Sequence, residues 1–370
     1  LAMEHQPAAV RREGGILDPL PAVALVRHQA RSPGLEAAVG GGEANVCASV
    51  ALLGGKSRYL TALPRNPVAD ALVAQLRGLG VDTSRILRTD AGRLGIYFAE
   101  AGANQRGSSV VYDRAMSSIA LAEPADYDFG AMLEGATWLH LTGITPALSE
   151  AAYLSTVAIA AAAAERGITI SCDLNFRKKL WNWRKGTKPR ELAGACMAKL
   201  VPLVDVIVGN EEDAHDVFGI AARGTSVEAG QLDIEAYADV ARRLSAMFPK
   251  ARHVAITLRE SLSADHNNWG AMLYDVAAKA VHLAPLDADG RYRPYEIRDI
   301  VDRIGGGDSF SAGLIYALSG CRAATKPAEA LAFAVAASCL KHSIRGDYNF
   351  CTAAEVESLM QGNASGRVKR

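Results

Sequence analysis

The sequence predicts an α/β fold in which a mainly parallel sheet is covered by helices on both faces. The first observation is that helical and strand patterns alternate from about residue 43 onward. The second is that the strand-like runs are short and almost continuously apolar, as is typical of parallel strands buried on both sides. The third is the composition, because 49% of the 370 residues are hydrophobic and 22% are charged, as in folded globular proteins.

Periodicity assigns the elements in chain order. It predicts a helix near 43–53, a strand near 57–63, and a helix after Asn66-Pro67 that buries Val68, Leu72, Leu76 and Leu79 on one face. Later strands are predicted at 137–142, 168–173, 204–208 and 253–257, with helices at 149–166, 189–203, 234–248 and 310–319. The regular β/α order indicates parallel strands joined by helical crossovers.

One interval breaks this order. Residues 94–100 and 107–114 read as two strands joined by a loop that contains Gly and Asn, with no helix between them, which predicts a hairpin. Together with an apolar run at 23–26, the hairpin would form a small sheet that projects from the main one. We expect lid segments near 22–40 and 88–118, placed to cover a cleft.

The two ends of the chain lack periodicity. Residues 1–21 mix Pro, Gly and charge, so we expect a loosely ordered tail there, followed by one α/β domain over 22–362 and a short tail at 363–370.

Composition excludes several classes of protein. Forty basic and forty acidic residues leave no net charge, so no nucleic-acid partner is expected. The longest run of small apolar residues, 157–164, is too short for a membrane span, and no apolar stretch follows Arg11 and Arg12 as it would in a secretory signal. The six cysteines form no CxxC pair, and the eight histidines show no HxxxH spacing. These features favour a cytoplasmic protein with reduced thiols and no zinc site.

The strongest motif is a glycine run that enters a helix. Gly305, Gly306 and Gly307 free the backbone to direct several N–H groups to one point, and the following helix adds its positive end, so the turn is suited to an anion such as phosphate. Asp308 follows directly. It is either a simple helix cap or a carboxylate that deprotonates an attacking hydroxyl.

Other nucleotide motifs fail when they are compared position by position. Gly55-Lys56-Ser57 ends like a P-loop, but Val50 stands where that motif needs glycine. Neither triple-glycine run has the sixth-position glycine of the dinucleotide fingerprint. A nicotinamide enzyme is therefore disfavoured.

Polar clusters follow two of the predicted parallel strands. Open α/β sheets bind ligands at the carboxyl ends of their strands, although solvated loop charge is the simpler alternative. The clusters are Asp173, Asn175 and Arg177 after one strand, and Asn210, Glu211, Glu212 and Asp213 after another.

Two segments resemble the signatures of the ribokinase-like (PfkB) carbohydrate kinases. They are the glycines before Asn45 and the run DRIGGGDSFSAG at 302–313. Within that family the chain is most similar to 2-keto-3-deoxygluconate kinases, through LGIYF (94–98), VVYDRAMSSIA (110–120), LTGITPALS (141–149), CDLNFRKKLW (172–181), VGNEEDA (208–214) and AASCLKHSIRGDYN (336–349). The resemblance implies a ribokinase-like three-layer α/β/α domain with a mainly parallel central sheet and a small projecting β-sheet lid.

The resemblance also implies roles for individual residues. Asp308 would be the catalytic base, and the amides of Gly305, Gly306 and Gly307 would form the anion hole. The implied substrate contacts are Gly41, Asn45, Tyr97, Tyr112, Arg114, Arg177 and Asp347. The implied nucleotide contacts are Asn210, Thr257, Ala337 and Lys341, with Asp213 near a Mg²⁺ that the ATP phosphates mainly hold.

The sequence departs from the family pattern in three regions, which are the first strand, the segment after Asn210 and the glycine run. The run AVALVRHQARS lacks the Gly and acidic residue that usually end the first strand, and Asp213 stands where the family has Glu. Arg303 replaces a usual Thr and Gly306 a usual Ala, which the backbone groups of an anion hole would tolerate.

These observations lead to a hypothesis of an ATP- and Mg²⁺-dependent kinase that phosphorylates a primary hydroxyl. The expected substrate is 2-keto-3-deoxygluconate, because Arg114 and Arg177 suit the carboxylate of a sugar acid. A kinase for fructose or a nucleoside, or a catalytically silent sugar or nucleotide sensor, is the alternative. The resemblance also implies a homodimer or higher homo-oligomer formed through the lid sheet.

Overall fold

The computed structural model describes residues 2–3, 7–11, 36–210, 212–222, 234–322 and 325–362. In the part of the amino-terminal half that the structure describes, there are eight strands and four short or medium helices. They are β1 (Ala2–Met3), β2 (Pro7–Arg11), β3 (Glu36–Val39), α1 (Gly42–Leu52), β4 (Tyr59–Leu60), β5 (Ala62–Pro64), α2 (Pro67–Gly78), β6 (Leu87–Thr89), β7 (Gly95–Glu100), β8 (Ser109–Asp113), α3 (Ser118–Leu121) and α4 (Phe129–Met132).

The carboxy-terminal half carries the longer helices and most of the central sheet. Its elements are β9 (Trp138–Thr142), α5 (Glu150–Glu165), β10 (Thr169–Asp173), α6 (Pro189–Leu200), β11 (Val206–Gly209), α7 (Asp213–Phe218), α8 (Ile234–Met247), β12 (His253–Ser261), β13 (Asn267–Asp275), β14 (Ala280–Ala284), β15 (Tyr295–Ile297), α9 (Gly306–Leu318), α10 (Pro327–Lys341) and α11 (Ala353–Met360).

A nine-stranded sheet forms the centre of the molecule. Its order is β14-β13-β12-β11-β10-β9-β1-β4, and β15 also pairs with β13. The pairs from β4 to β12 are parallel, whereas β13, β14 and β15 pair antiparallel. The mainly parallel sheet is therefore confirmed, and an antiparallel edge that the periodicity did not reveal extends it.

Helices cover both faces of this sheet. Neighbouring residues of one strand point to opposite faces, so Ile207 packs into the cluster that contains Leu192 of α6, whereas Val206 and Val208 pack against Phe310 of α9. Burial on both faces explains why the strands read as continuous apolar runs. The three-layer α/β/α architecture that the sequence predicts is confirmed.

A second sheet of four strands, here called the lid sheet, has the order β3-β2-β7-β8. The predicted hairpin is its antiparallel β7–β8 pair, in which Tyr97 lies opposite Tyr112. Of the expected lid segment 22–40, the structure describes only 36–40, which includes β3. The run at 22–32 lies outside the described residues.

Local signals set the helix boundaries. Asn66 caps α2 by accepting a hydrogen bond from the amide of Ala69, and Ser149 caps α5 by accepting one from Ala152. Helix α9 begins at Gly306, earlier than the predicted 310, because Gly305 turns the chain into the helix with φ at +78°.

Three predicted details are wrong. Strands β1 and β2 lie inside the segment 1–21 that was expected to be a tail, because β1 pairs between β9 and β4 and β2 pairs between β3 and β7. The strand predicted near 57–63 is two short strands that belong to different sheets. Val68 is 63% exposed, because the buried stripe of α2 runs through Ala69, Leu72, Val73 and Leu76.

None of the helices in the described ranges combines the length and apolarity needed to cross a bilayer. The six cysteines, all of which fall in described ranges, are free thiols as predicted.

Candidate active site

One cavity of about 460 Å³ lies at the carboxyl ends of the parallel strands, beside the first turns of α1 and α9. Parallel strands place their carboxyl ends at the same edge, so residues far apart in sequence meet there. The lid sheet forms the outer wall through Tyr97 and Tyr112. Of the predicted site residues, the cavity wall contains Gly41, Asn45, Tyr97, Tyr112, Arg114, Arg177, Asn210, Asp213, Thr257, Gly305, Gly306, Gly307, Asp308 and Asp347.

The Asp308 carboxylate lies at the centre of this wall. Its Oδ2 accepts a hydrogen bond of 2.7 Å from Nδ2 of Asn45, which α1 holds in a buried position. Burial raises the pKa of Asp308, and the nearby charge of Asp347 raises it further, while the Asn45 hydrogen bond and the charge of Arg177 oppose that rise. A carboxylate with a raised pKa is a better proton acceptor than an exposed one.

Residues 305–307, here called the glycine cradle, lead directly into α9. A side chain at Gly305 would place its Cβ 2.2 Å from the carbonyl oxygen of Asp347, so only glycine fits there. At Gly307 a Cβ would meet nothing within 4 Å. Ser338 donates a 2.6 Å hydrogen bond to the Gly306 carbonyl and fixes the turn. The first turn of α9 therefore lies beside Asp308 with open space at Gly307, and the amino-terminal end of a helix suits an anion.

The lid side of the cavity is built from an arginine between two aromatic rings. The Arg114 guanidinium carbon lies 5.7 Å from the ring centre of Tyr97 and 5.0 Å from that of Tyr112. Tyr97 donates a 2.7 Å hydrogen bond to Oδ2 of Asp347. Cation–π contacts of this kind hold Arg114 in place. A fixed cation beside tyrosines is suited to a small polyhydroxylated anion.

Arg177 lies among carboxylates at the ends of β10 and β11. Burial raises the pKa of Asp173 well above its usual range, the charges of Asp213 and Asp308 add to the shift, and Arg177 opposes it. Burial also raises the pKa of Asp213, again against the effect of Arg177. Arg177 therefore supplies the positive charge that a buried acidic cluster needs.

Asp213 has a structural role that the sequence did not reveal. Its Oδ1 accepts the amide of Phe176 and its Oδ2 accepts the amide of Asn210, each at 2.9 Å. The carboxylate thus ties the loop carrying Arg177 to the end of β11. Within the described ranges no three His, Cys, Asp or Glu side chains cluster as metal ligands. The expectation of a Mg²⁺ near Asp213, held mainly by the ATP phosphates, stays a prediction.

Two predicted nucleotide contacts do not lie in the cavity wall. Ala337 and Lys341 are fully buried, and Nζ of Lys341 donates to the carbonyl of Ile344 at 2.9 Å. The reason is helical phase, because positions four apart in α10 share the face that packs on the core. The prediction that these two side chains line the adenine side is not supported by their burial.

Among the residues of the cavity wall that sequence reasoning missed, or whose side-chain roles it missed, are five polar or aromatic side chains. His342 follows Lys341, and burial lowers its pKa to about 4, so the ring is neutral. Its Nδ1 donates to the Ser338 carbonyl at 2.8 Å, since that oxygen can only accept. The others are Arg259, Asn267, Trp269 and the side chain of Arg303. The continuous apolar run at 269–274 was the available signal for β13.

The doubly covered sheet, the glycine cradle and the carboxylate beside it define the ribokinase-like class of small-molecule kinases. The sequence profile of the pfkB family carbohydrate kinases matches residues 23–353. This protein belongs to that family and is a carbohydrate kinase, as its resemblance implied.

Individual relatives support the assignment. The 2-dehydro-3-deoxygalactonokinase of Haloferax volcanii is 31% identical over 336 residues, covering 90% of each protein. The crystal structure of 2-dehydro-3-deoxygluconokinase from Thermotoga maritima is 37% identical, with a TM-score of 0.82 over 98% of each chain. A fructokinase with bound ATP from Xylella fastidiosa shares the fold, with a TM-score of 0.71, 20% identity and 98% coverage of each chain.

Proposed function

We propose that this kinase transfers the γ-phosphoryl group of ATP to the primary hydroxyl of a 2-keto-3-deoxy sugar acid, with 2-keto-3-deoxygluconate as the expected substrate. The observation that carries the proposal is the Asp308 carboxylate, hydrogen-bonded to Asn45 and adjacent to the glycine cradle. The names of the relatives from Haloferax volcanii and Thermotoga maritima support a substrate of this class.

The geometry supports a direct transfer. Asp308 takes the proton of the substrate's primary hydroxyl while the hydroxyl oxygen bonds to the γ-phosphorus of ATP. The bond between the γ-phosphorus and the oxygen that bridges it to the β-phosphorus breaks, which releases ADP. The amides of the glycine cradle stabilise the negative charge on the transferring group. Mg²⁺ would neutralise charge on the nucleotide phosphates when bound, with Asp213 as its protein ligand.

Arg177 and Arg114 support an acid over a neutral sugar. Both guanidinium groups lie in the cavity wall, and a carboxylate is the natural bidentate partner of arginine. Arg177 already faces the charges of Asp173, Asp213 and Asp308, so the substrate carboxylate would share it with protein acids.

A substrate panel tests this proposal. We expect kcat/KM for 2-keto-3-deoxygluconate and 2-keto-3-deoxygalactonate to exceed that for fructose or a ribonucleoside by at least about tenfold, since charged hydrogen bonds discriminate by that much. Arg177→Lys should raise KM for the sugar acid more than KM for ATP. Lysine keeps the positive charge but lacks the paired N–H groups with which arginine binds both oxygens of a carboxylate.

Arg184→Lys is the matched control, because Arg184 is exposed and pairs with Glu150 outside the cavity. A neutral sugar or nucleoside as the preferred acceptor would reject the sugar-acid proposal, and unchanged constants in Arg177→Lys would remove Arg177 from it.

We also propose a cytoplasmic homo-oligomer that associates through the lid sheet. Strand β8 is an edge of the described lid sheet, and Val111 on it is 49% exposed. The free thiols suit a reducing compartment. The proposed kinase domain ends near residue 362 and includes β1 and β2, which precede the predicted start at 22.

A further inference from the structure

One wall of the cavity, here called the arginine wall, is made of Arg259, Asn267, Trp269 and Arg303. Strands β12 and β13 pair antiparallel, with Arg259 opposite Trp269 and Ser261 opposite Asn267. Residues directly opposite each other share one face of a sheet, so this end of the hairpin presents a continuous polar surface to the cavity. Arg303 joins it from the segment before α9, where NH2 donates to Oδ1 of Asn267 at 3.4 Å.

The wall contains buried hydrogen-bond donors that have no acceptor among the described residues. They are Nε of Arg303, Nδ2 of Asn267 and Nε1 of Trp269. Asn267 is 1% exposed and Trp269 is 5% exposed. The Arg303 contact to Oδ1 fixes the orientation of the Asn267 amide, and indole N–H can only donate. Buried donors without acceptors are costly, so they indicate a ligand rich in acceptors.

The charge of the wall has the same implication. Burial lowers the pKa of Arg303, and the nearby positive charge of Arg259 lowers it further, while Asp265 opposes the shift. Two cations held close together in a partly buried wall repel each other, and an anion between them would remove that repulsion.

The arginine wall is continuous with the glycine cradle. The His342 ring centre lies 5.2 Å from that of Trp269, and its Cε1 would lie 3.1 Å from a Cβ at Gly306. Arg303 lies in the same turn as Gly305, since the Gly306 amide donates to its carbonyl at 3.4 Å. An anion that extends out of the cradle on this side therefore meets the arginine wall.

We propose that the arginine wall binds the non-reacting phosphates of the donor nucleotide, and that the Arg303 side chain makes this kinase select for a polyphosphate chain. The inference rests on the proposed function, because it assigns that donor its phosphate contacts. Backbone amides hold the transferring group, whereas side chains hold the phosphates that leave with the nucleoside. Inorganic tripolyphosphate, which lacks the nucleoside, is then a ligand of the same site.

Binding measurements on the wild-type enzyme and on Arg303→Gln test the proposal. We expect the substitution to raise Kd for ADP and ATP roughly ten- to hundredfold, as for a lost charge-assisted hydrogen bond, and to leave Kd for adenosine within about twofold. Arg298→Gln is the matched control, because Arg298 is an exposed arginine of the preceding segment that pairs with Glu296. It should bind all three ligands as the wild type does.

A competition assay needs no variant. Tripolyphosphate should displace ATP from the wild-type enzyme, and the displacement should weaken as salt rises. Equal loss of adenosine and ADP affinity in Arg303→Gln, unchanged ADP affinity in it, or no displacement by tripolyphosphate would each overturn the inference. If the wild type binds ATP through this wall but phosphorylates no sugar acid, the substrate proposal fails while the wall assignment stands.

Discussion

Asp308 and Asn45 are 263 positions apart in sequence, yet a 2.7 Å hydrogen bond joins them. The bond has a consequence for proton transfer. Asn45 donates to the ionised carboxylate, so it lowers the pKa of Asp308 against the effect of burial. The position of the acid limb of the pH profile therefore depends on an amide from another helix.

Removing that amide should move the acid limb of kcat/KM to higher pH. In Asn45→Ala the ionised form of Asp308 loses a hydrogen bond, so its pKa rises further above its ordinary value and the base becomes protonated at a higher pH. The measurement is kcat/KM against pH for both proteins. Asn182→Ala, at an exposed asparagine whose Nδ2 bonds the Lys179 carbonyl, is the control. An acid limb that stays in place or moves to lower pH would show that Asn45 does not act on Asp308.

Most of the residues near the reacting centre could be predicted because they lie in short motifs. The glycine cradle and Asp308 are contiguous in the sequence, and the polar residues after β10 and β11 follow apolar strands. The arginine wall could not be predicted in this way, since it depends on the register of β12 against β13. The nucleotide contacts at Ala337 and Lys341 stay a prediction that their burial does not support, whereas the next residue, His342, lies in the cavity wall.

The lid sheet also contacts the opposite side of the cavity through the tip of its hairpin. At the tip of the β7–β8 hairpin, the Asn104 carbonyl accepts the amide of Ala264 at 2.7 Å, and its amide donates to Asp265 at 3.4 Å. Asn104 has φ at +51°, a conformation that asparagine and glycine adopt easily. The tip of the lid thus reaches the loop between β12 and β13, on the side of the arginine wall.

Substitutions at Asn104 should separate lid closure from lid folding. Asn104→Gly keeps the positive φ, whereas Asn104→Val disfavours it by about 1 kcal/mol or more, so KM for the sugar acid should rise roughly fivefold or more only in the valine variant. Amide exchange over 94–114 should slow when the sugar acid binds to the wild type and to Asn104→Gly. If the sugar acid slows amide exchange equally in the valine variant, and KM is unchanged in that variant, then the Asn104 contact has no role in closing the lid.

At the scale of elements, strand and helix order could be predicted and edge pairing could not. Periodicity located β9 to β12 and the helices α5, α6 and α8, because burial leaves a regular apolar pattern in each of these segments, but it did not predict the short helix α7. The short strands β14 and β15 pair with β13 through long-range contacts, which leave little local pattern. The first sheet strands, β1 and β2, are similarly short and carry no turn signal of their own.

At the scale of the whole molecule, the fold brings two groups of polar and charged residues to one edge of the central sheet. The lid sheet supplies tyrosines and Arg114, while α9 and the β12–β13 hairpin supply the cradle and the arginine wall. Because the parallel strands all end at this edge, one cavity contains both groups of residues together with Asp308. We therefore expect a single carboxylate, Asp308, to control transfer while each side of the cavity binds its own substrate.

The most direct test follows the transferred phosphorus by ³¹P NMR in the presence of ATP, Mg²⁺ and 2-keto-3-deoxygluconate. The wild type should convert ATP to ADP with one new phosphomonoester signal, and Asp308→Asn should form that ester roughly 10² to 10⁴ times more slowly while binding ATP with unchanged affinity. Ester formation by Asp308→Asn at the wild-type rate, or ATP loss in the wild type without a sugar phosphate, would contradict the assignment of Asp308 as the base of a sugar-acid kinase.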